Sequence, residues 1–238
     1  MSEKHCAATA TPGAIEPRRL ATPLGIELWL VNLQGQPSPA MLAWLSPSER
    51  AKASRFVFAR DRRRYEAAHT ALRQLLAPRA GAAPQDLRFL EGRFGKPALC
   101  PPCDCVFNLS HSEDEAAVLI AADGDIGVDI ELLHCVPDAL ALAQRFFSAE
   151  ECAALADVDM ASRSLAFLTG WTRKEACLKA IGSGLSIAPD TFTAGLAHDA
   201  RRTVIRTPQG LAEVGVKSSL HDQHLVVAWA RVEGMLHD

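Results

Sequence analysis

The chain has no apolar run approaching the roughly 20 residues that span a bilayer, and its N-terminus lacks a charged stretch followed by an apolar one. Both absences argue against membrane anchoring and secretion, and the cytosol is the expected compartment. A dominant charge is lacking too. Lys plus Arg number 25 against 28 Asp plus Glu, a formal net charge of -3, so no global field recommends nucleic acid or an anionic membrane as partner. Cysteine is sparse and odd in number, 7 in 238 residues, in a chain too long to need disulfide staples, which fits a reducing compartment. Only Cys100, Cys103 and Cys105 cluster, and with no fourth ligand or second knuckle spaced for zinc they read as a proline-broken loop that carries thiols.

What is present suffices for a packed core, since 48% of the residues are hydrophobic, in one large domain or two small ones. Residues 1–23 are rich in Ala, Thr and Pro and read as a loose leader. A strand is expected over 25–31. Ser46-Pro47-Ser48-Glu49 then starts a helix, with Ser46 as N-cap, Pro47 at the first position and Glu49 closing a capping box. Helix continues through 67–76, where Pro78 and Gly81 stop it. Strand-like runs follow at 87–90, 107–112, 117–121 and 126–131, and Asp123-Gly124 joins the last two as a hairpin turn. Ser148 and Glu151 repeat the capping box, and a long helix over 163–181 ends at Gly182. Short strands over 203–206, 213–217 and 225–231 complete the chain. A weak internal echo sets Tyr65 and Arg73 against Trp171 and Lys179, which suggests duplication.

The chemistry concentrates in two segments. In Gly127-Val128-Asp129-Ile130-Glu131 the apolar residues alternate with acids, so a strand puts both carboxylates on one face and its apolar side chains in a core. In the segment from Trp171 to Ala180, Glu175 and Lys179 lie one helical turn apart. If the two segments meet, three carboxylates converge beside an ammonium, a hard-cation site with a phosphate-stabilising charge attached. Each segment alone also fits a bland role, as solvated acids on a half-buried sheet or an ordinary helix pair. Asn108, Ser110 and His111 form a polar cluster suited to an anion or sugar, or to capping local backbone. Arg62, Arg63 and Arg64 cannot share one helix face, so at most one or two enter a site.

In its motifs and their order the chain resembles the 4'-phosphopantetheinyl transferases, specifically the larger, pseudo-dimeric, surfactin-synthetase-activating type. The matching residues are Gly95-Lys96-Pro97, Phe107-Asn108-Leu109-Ser110-His111-Ser112, Gly127-Val128-Asp129-Ile130-Glu131, Arg145-Phe146-Phe147, and Trp171 through Lys179 followed by Gly182 to Leu185. The resemblance implies an α+β fold of two similar α/β subdomains, 24–125 and 126–238, related by pseudo-two-fold symmetry, with antiparallel sheets and packed long helices. It implies Asp129, Glu131 and Glu175 as magnesium ligands against the pyrophosphate of coenzyme A. Lys179 would contact phosphate and Lys174 would also hold the coenzyme. Ser110 and His111 would reach its phosphates, Arg64 and Lys52 its 3'-phosphate, and Lys96 the nucleotide. Where the family commonly has the first of two upstream basic residues this chain has Glu49 beside Arg50, which shifts the anion clamp and puts Lys52 in question.

The implied activity is magnesium-dependent transfer of 4'-phosphopantetheine from coenzyme A to a serine of an acyl or peptidyl carrier protein, releasing 3',5'-ADP. Glu175 would act as general base or as metal ligand only, with Lys179 stabilising charge. A monomer is expected, with no nucleic acid and no membrane. Two other readings use the same residues: a coenzyme A or nucleotide sensor without turnover, and a magnesium phosphohydrolase.

Overall fold

The structure, a computed structural model, describes residues 15–22, 25–92, 95–101, 103 and 105–236. Two four-stranded antiparallel sheets organise it. The first comprises β1 (Arg18–Leu20), β2 (Ile26–Asn32), β5 (Val106–Ser112) and β6 (Glu115–Ala121), in the order β1-β2-β6-β5. The second has the order β7-β10-β9-β8, from β7 (Ile126–Leu132), β8 (Arg201–Thr207), β9 (Gly210–His221) and β10 (Leu225–Leu236). A separate two-stranded ribbon, β3 (Phe89–Glu91) with β4 (Pro97–Leu99), packs Phe89 and Leu99 against the core of the first sheet. The helices are α1 (Pro39–Leu42), α2 (Pro47–Ala53), α3 (Ala59–Ala80), α4 (Ala139–Phe146), α5 (Ala149–Asp157) and α6 (Met160–Ile181). The fold is therefore mixed α+β with antiparallel sheets. No helix of the described residues is long and apolar enough to cross a membrane.

Strand alternation decides which face meets what. Val31, Phe107, Val118 and Ile120 pack against Leu72 and Leu76 of α3. Leu28, Leu30 and Leu119 of the first sheet pack with Val128, Ile130, Val227 and Trp229 of the second. The far face of the second sheet, with Val214, Val216 and Ala228, covers Ala176, Cys177 and Ala180 of α6. Each buried Leu or Val contributes on the order of 1.5–3 kcal/mol of apolar burial.

Both capping boxes form, and each glutamate does a second task. Glu49 caps Ser46 and meets Arg73 of α3 at 2.6 Å, while Glu151 caps Ser148 and meets Lys174 of α6 at 2.7 Å. Burial opposes ionisation of Glu49, but hydrogen bonds from His69, Arg73 and Ser46 outweigh it and hold the carboxyl at about 2. The long helices, 22 residues each, both end on a glycine in the left-handed region, Gly81 and Gly182. Arg73 and Lys174 stand equally far from their helix starts, a spacing that the pairing of Arg73 with Lys179 does not match.

The structure departs from the sequence reading at three points. Arg18–Leu20, placed in the loose leader, is an edge strand paired with β2, and Ile15 is buried; residues 1–14 lie outside the described set. Helix α3 runs past Pro78 to Ala80, because a proline this near the end forfeits a single hydrogen bond, to the carbonyl of solvent-exposed Gln74. Asp123-Gly124 is not a hairpin turn. It passes the chain from β6 in one sheet to β7 in the other, where β7 pairs with β10. A tight turn fixes the reversal of direction, whereas the hydrogen-bonding partner depends on which sheet has an edge to offer.

Gly127 has a steric cause. A Cβ there would sit 2.2 Å from the Ala176 carbonyl oxygen and 2.3 Å from the Ala180 nitrogen, so only glycine lets β7 lie against the backbone of α6. That approach sets Asp129 and Glu131 beside Glu175 and Lys179. Gly127→Ala is expected to cost about 1–3 kcal/mol or more by forcing strand and helix apart, read as a lower midpoint in urea unfolding. An unchanged midpoint would show that the approach is not needed.

Candidate active site

The edge of β5 faces the edge of β7, and side chains join them. Asn108 Oδ1 accepts the Val128 backbone N–H at 2.8 Å, Ser110 Oγ donates to Asp129 Oδ1 at 2.8 Å, and Ser112 Oγ donates to Glu131 at 2.9 Å. The alternation of 108, 110 and 112 thus gives one face of β5 to the acids. The residues between, Leu109 and His111, line a cavity on the other side. One strand therefore serves two sites.

On the first side a cavity of about 790 Å³ is lined by Asp129, Glu131, Glu175, Arg145, Trp171 and Asp190, with Phe146 in its wall. Phe146 and Trp171 meet edge to face, with ring centroids 5.4 Å apart. Lys179 Nζ lies 2.6 Å from Asp129 Oδ1 and donates to Ser110 Oγ at 2.9 Å. Burial, and then the charge of Asp129, push Glu175 above the ordinary carboxylate range, and Glu131 is raised for the same two reasons. Two carboxyls raised in this way, beside a third acid, call for a cation. Asp129 Oδ2 points the same way, being buried without a hydrogen-bond partner among the described residues. The three carboxylates do not by themselves close round an ion, however: among the described residues no group of three His, Cys, Asp or Glu side chains is arranged to hold a metal. The donor chemistry fits magnesium, which takes one or two carboxylates and fills its shell with water and substrate phosphate.

On the second side a cavity of about 560 Å³ is lined by Lys52, Phe56, Arg64, Tyr65, His69 and His111, with Asp61 and Glu113 also at its wall. Lys52 Nζ lies 5.4 Å from the Tyr65 ring centre, and Tyr65 stacks toward His69 at 4.0 Å. Loss of solvation, and then the neighbouring Lys179, His69 and Arg64, hold the His111 imidazole below its ordinary value, although part of the ring stays exposed. Of the three consecutive arginines only Arg64 lines this cavity, while Arg62 pairs with Glu66 and Arg63 with Asp114. Glu49 takes no part: the departure from the family pattern is a buried partner for Arg73 and His69.

Two expected coenzyme ligands lie elsewhere. Lys174 does not reach either cavity; it is fully buried and donates to Glu151 and to the carbonyls of Pro189 and Phe192, which corrects the expectation that it holds the coenzyme. Adjacent helical residues point about 100° apart, so Lys174 cannot share a face with Glu175. Lys96 lines neither cavity and donates to the carbonyls of Ile126 at 2.8 Å and Ala180 at 3.3 Å, tying the start of β7 to the end of α6. Sequence reasoning gave no role to Ser112, Tyr65, His69 or Asp190. The alternation with Asn108 and Ser110 could have flagged Ser112; the others carry no local signal.

Comparison with known proteins gives a consistent result. Residues 125–230 match the family model described as the 4'-phosphopantetheinyl transferase superfamily, and residues 36–124 match that of the 4'-phosphopantetheinyl transferase N-terminal domain. The protein slr0495 of Synechocystis sp. is 35% identical over 162 residues, covering 67% of this chain and 66% of that protein. The 4'-phosphopantetheinyl transferase HetI of Nostoc sp. is 35% identical over 166 residues, 68% of this chain and 70% of HetI. Sfp of Bacillus subtilis, likewise a 4'-phosphopantetheinyl transferase, is 31% identical over 173 residues, 72% of this chain and 75% of Sfp. With two family models meeting end to end and relatives above 30% identity covered to more than two thirds of their length, the chain belongs to the 4'-phosphopantetheinyl transferase superfamily.

Proposed function

We propose that this protein transfers the 4'-phosphopantetheine arm of coenzyme A to a serine of an acyl or peptidyl carrier protein, with magnesium, as a cytoplasmic monomer. The observation that carries the reading is the double use of β5. Its even residues hold the acids, and its odd residues wall a basic cavity. A donor with a pyrophosphate at one place and a separate phosphate at another needs both.

Asp129, Glu131 and Glu175 are the residues that would hold magnesium, and the ion would supply neutralisation of phosphate charge. The protein's own groups have separate tasks. Glu175 accepts the proton of the carrier serine, whose oxygen bonds to the phosphorus bearing the pantetheine arm as the bond to 3',5'-ADP breaks. Lys179, fixed by Asp129 and Ser110, places positive charge beside the phosphate. Lys52, Arg64 and His111 take the 3'-phosphate.

The two halves read as a duplicated unit related by a pseudo-two-fold axis, each a sheet with a 22-residue helix, a capping box and a buried acid–base pair. In that alignment Gln74 and Pro78 stand where Glu175 and Lys179 do, so one half alone carries the reacting groups. The interface that smaller relatives would form by association is then internal, which is why a monomer is expected.

Release of 3',5'-ADP tests this reading. It should require coenzyme A, magnesium and an apo carrier together. Release without a carrier would instead mark a phosphohydrolase. Arg64→Ala is further expected to weaken coenzyme A by about tenfold while leaving its 3'-dephospho analogue little changed. Equal losses for both ligands would reject the 3'-phosphate contact.

A further inference from the structure

Arg64 already has partners. Its Nε donates to Asp114 at 2.8 Å, one terminal nitrogen donates to Glu113 at 2.7 Å, and the other lies 3.6 Å from Asp61. Asp114 is also shared with Arg63 at 3.3 Å. Glu113 and Asp114 are the two turn residues between β5 and β6, immediately after His111 and Ser112. Glu113 sits at φ 49°, in the left-handed region that a long side chain seldom occupies. Its side chain is 63% exposed, yet it lines the same cavity as Arg64, whose side chain is 15% exposed. Thus a flexible carboxylate on a short, fixed turn reaches back to the guanidinium assigned to a phosphate.

From this geometry we infer that Glu113 is an internal rival of the substrate phosphate: its carboxylate holds Arg64 until a 3'-phosphate displaces it, and it retakes Arg64 as 3',5'-ADP leaves. The inference rests on reading the basic cavity as the 3'-phosphate site. Coenzyme A and the product 3',5'-ADP carry the same 3'-phosphate, so a site that gripped it without competition would keep its product. An exposed carboxylate suits this task because its pair with Arg64 is weak and screened by salt, and a dianionic phosphate with three acceptor oxygens displaces it readily. Asp114, anchored by both Arg63 and Arg64, keeps the guanidinium oriented while Glu113 exchanges with ligand.

The test is Glu113→Gln, titrated by calorimetry at low salt with 3',5'-ADP, coenzyme A, 5'-ADP and dephospho-coenzyme A. Gln keeps the side-chain length and the turn, and an unchanged unfolding midpoint checks the fold. The dissociation constants of 3',5'-ADP and coenzyme A are expected to fall by about threefold to tenfold, with those of the two ligands lacking the 3'-phosphate unchanged. In steady state the KM for coenzyme A falls and kcat does not rise. In the Arg64→Ala background the same substitution should have no effect on 3',5'-ADP. Unchanged or weaker binding of 3',5'-ADP, equal tightening of all four ligands, or an effect that survives without Arg64 would each overturn the inference. Wild-type protein that binds neither 3',5'-ADP nor coenzyme A would instead remove the underlying reading of the cavity, and the inference with it.

Discussion

Glu175→Gln is expected to reduce carrier modification by at least about 100-fold, the range in which a positioned base contributes, while leaving the unfolding midpoint close to that of the parent. The side chain is half-buried on α6 and no described hydrogen bond depends on its charge. Removing that charge also relieves repulsion with Asp129 and Glu131, which together with burial raises Glu175 above the ordinary carboxylate range. The same shift sets a pH dependence. Only ionised Glu175 can take a proton or hold a cation, so the wild-type rate should fall on acidification at a higher pH than an exposed glutamate would give. Kinetics separate the two roles. Loss of a base lowers kcat at saturating magnesium and leaves the magnesium requirement unchanged, whereas loss of a ligand raises the magnesium concentration needed. Turnover near the parent level at every magnesium concentration would remove Glu175 from the chemistry.

Lys174→Met should act on stability and leave ligand binding alone. The ammonium of Lys174 is fully buried with Glu151, and that carboxylate also accepts the backbone N–H groups of Ala194 and Gly195. Removing the lysine takes from the buried Glu151 carboxylate the one ion-pair partner it has among the described residues. Breaking such a pair costs about 3–5 kcal/mol, which should appear as a large drop in the urea midpoint. Coenzyme A affinity of the folded protein, measured at low temperature, should match the parent. The opposite pattern, an unchanged midpoint with weakened coenzyme A, would return Lys174 to the coenzyme site.

Those two neighbours in sequence show how far local pattern reaches. Alternation over 126–131 identified the strand and put Asp129 and Glu131 on one face, and the helical spacing of Glu175 and Lys179 set them on another, as the structure has them. The capping boxes at Ser46 and Ser148 were equally legible, because their partners lie three residues away. Lys174 shares a motif with Glu175, but the 100° between adjacent helical residues turns it into the core and onto Glu151. What local pattern could not supply was long-range pairing. Asp123-Gly124 fixes a reversal of direction but not the sheet that receives the strand, and nothing near Arg64 foretells that a turn some fifty positions later, at Glu113 and Asp114, holds it. Gly127 was visible as part of a motif, yet its reason, the backbone of α6 at van der Waals distance, exists only in three dimensions.

The most direct measurement is the intact mass of apo acyl and peptidyl carrier proteins after incubation with this protein, coenzyme A and magnesium. A single mass gain equal to the phosphopantetheine arm is expected, located on a serine and absent when magnesium is chelated. Carriers that all stay unmodified while coenzyme A remains bound to the protein would contradict it and leave a coenzyme A sensor.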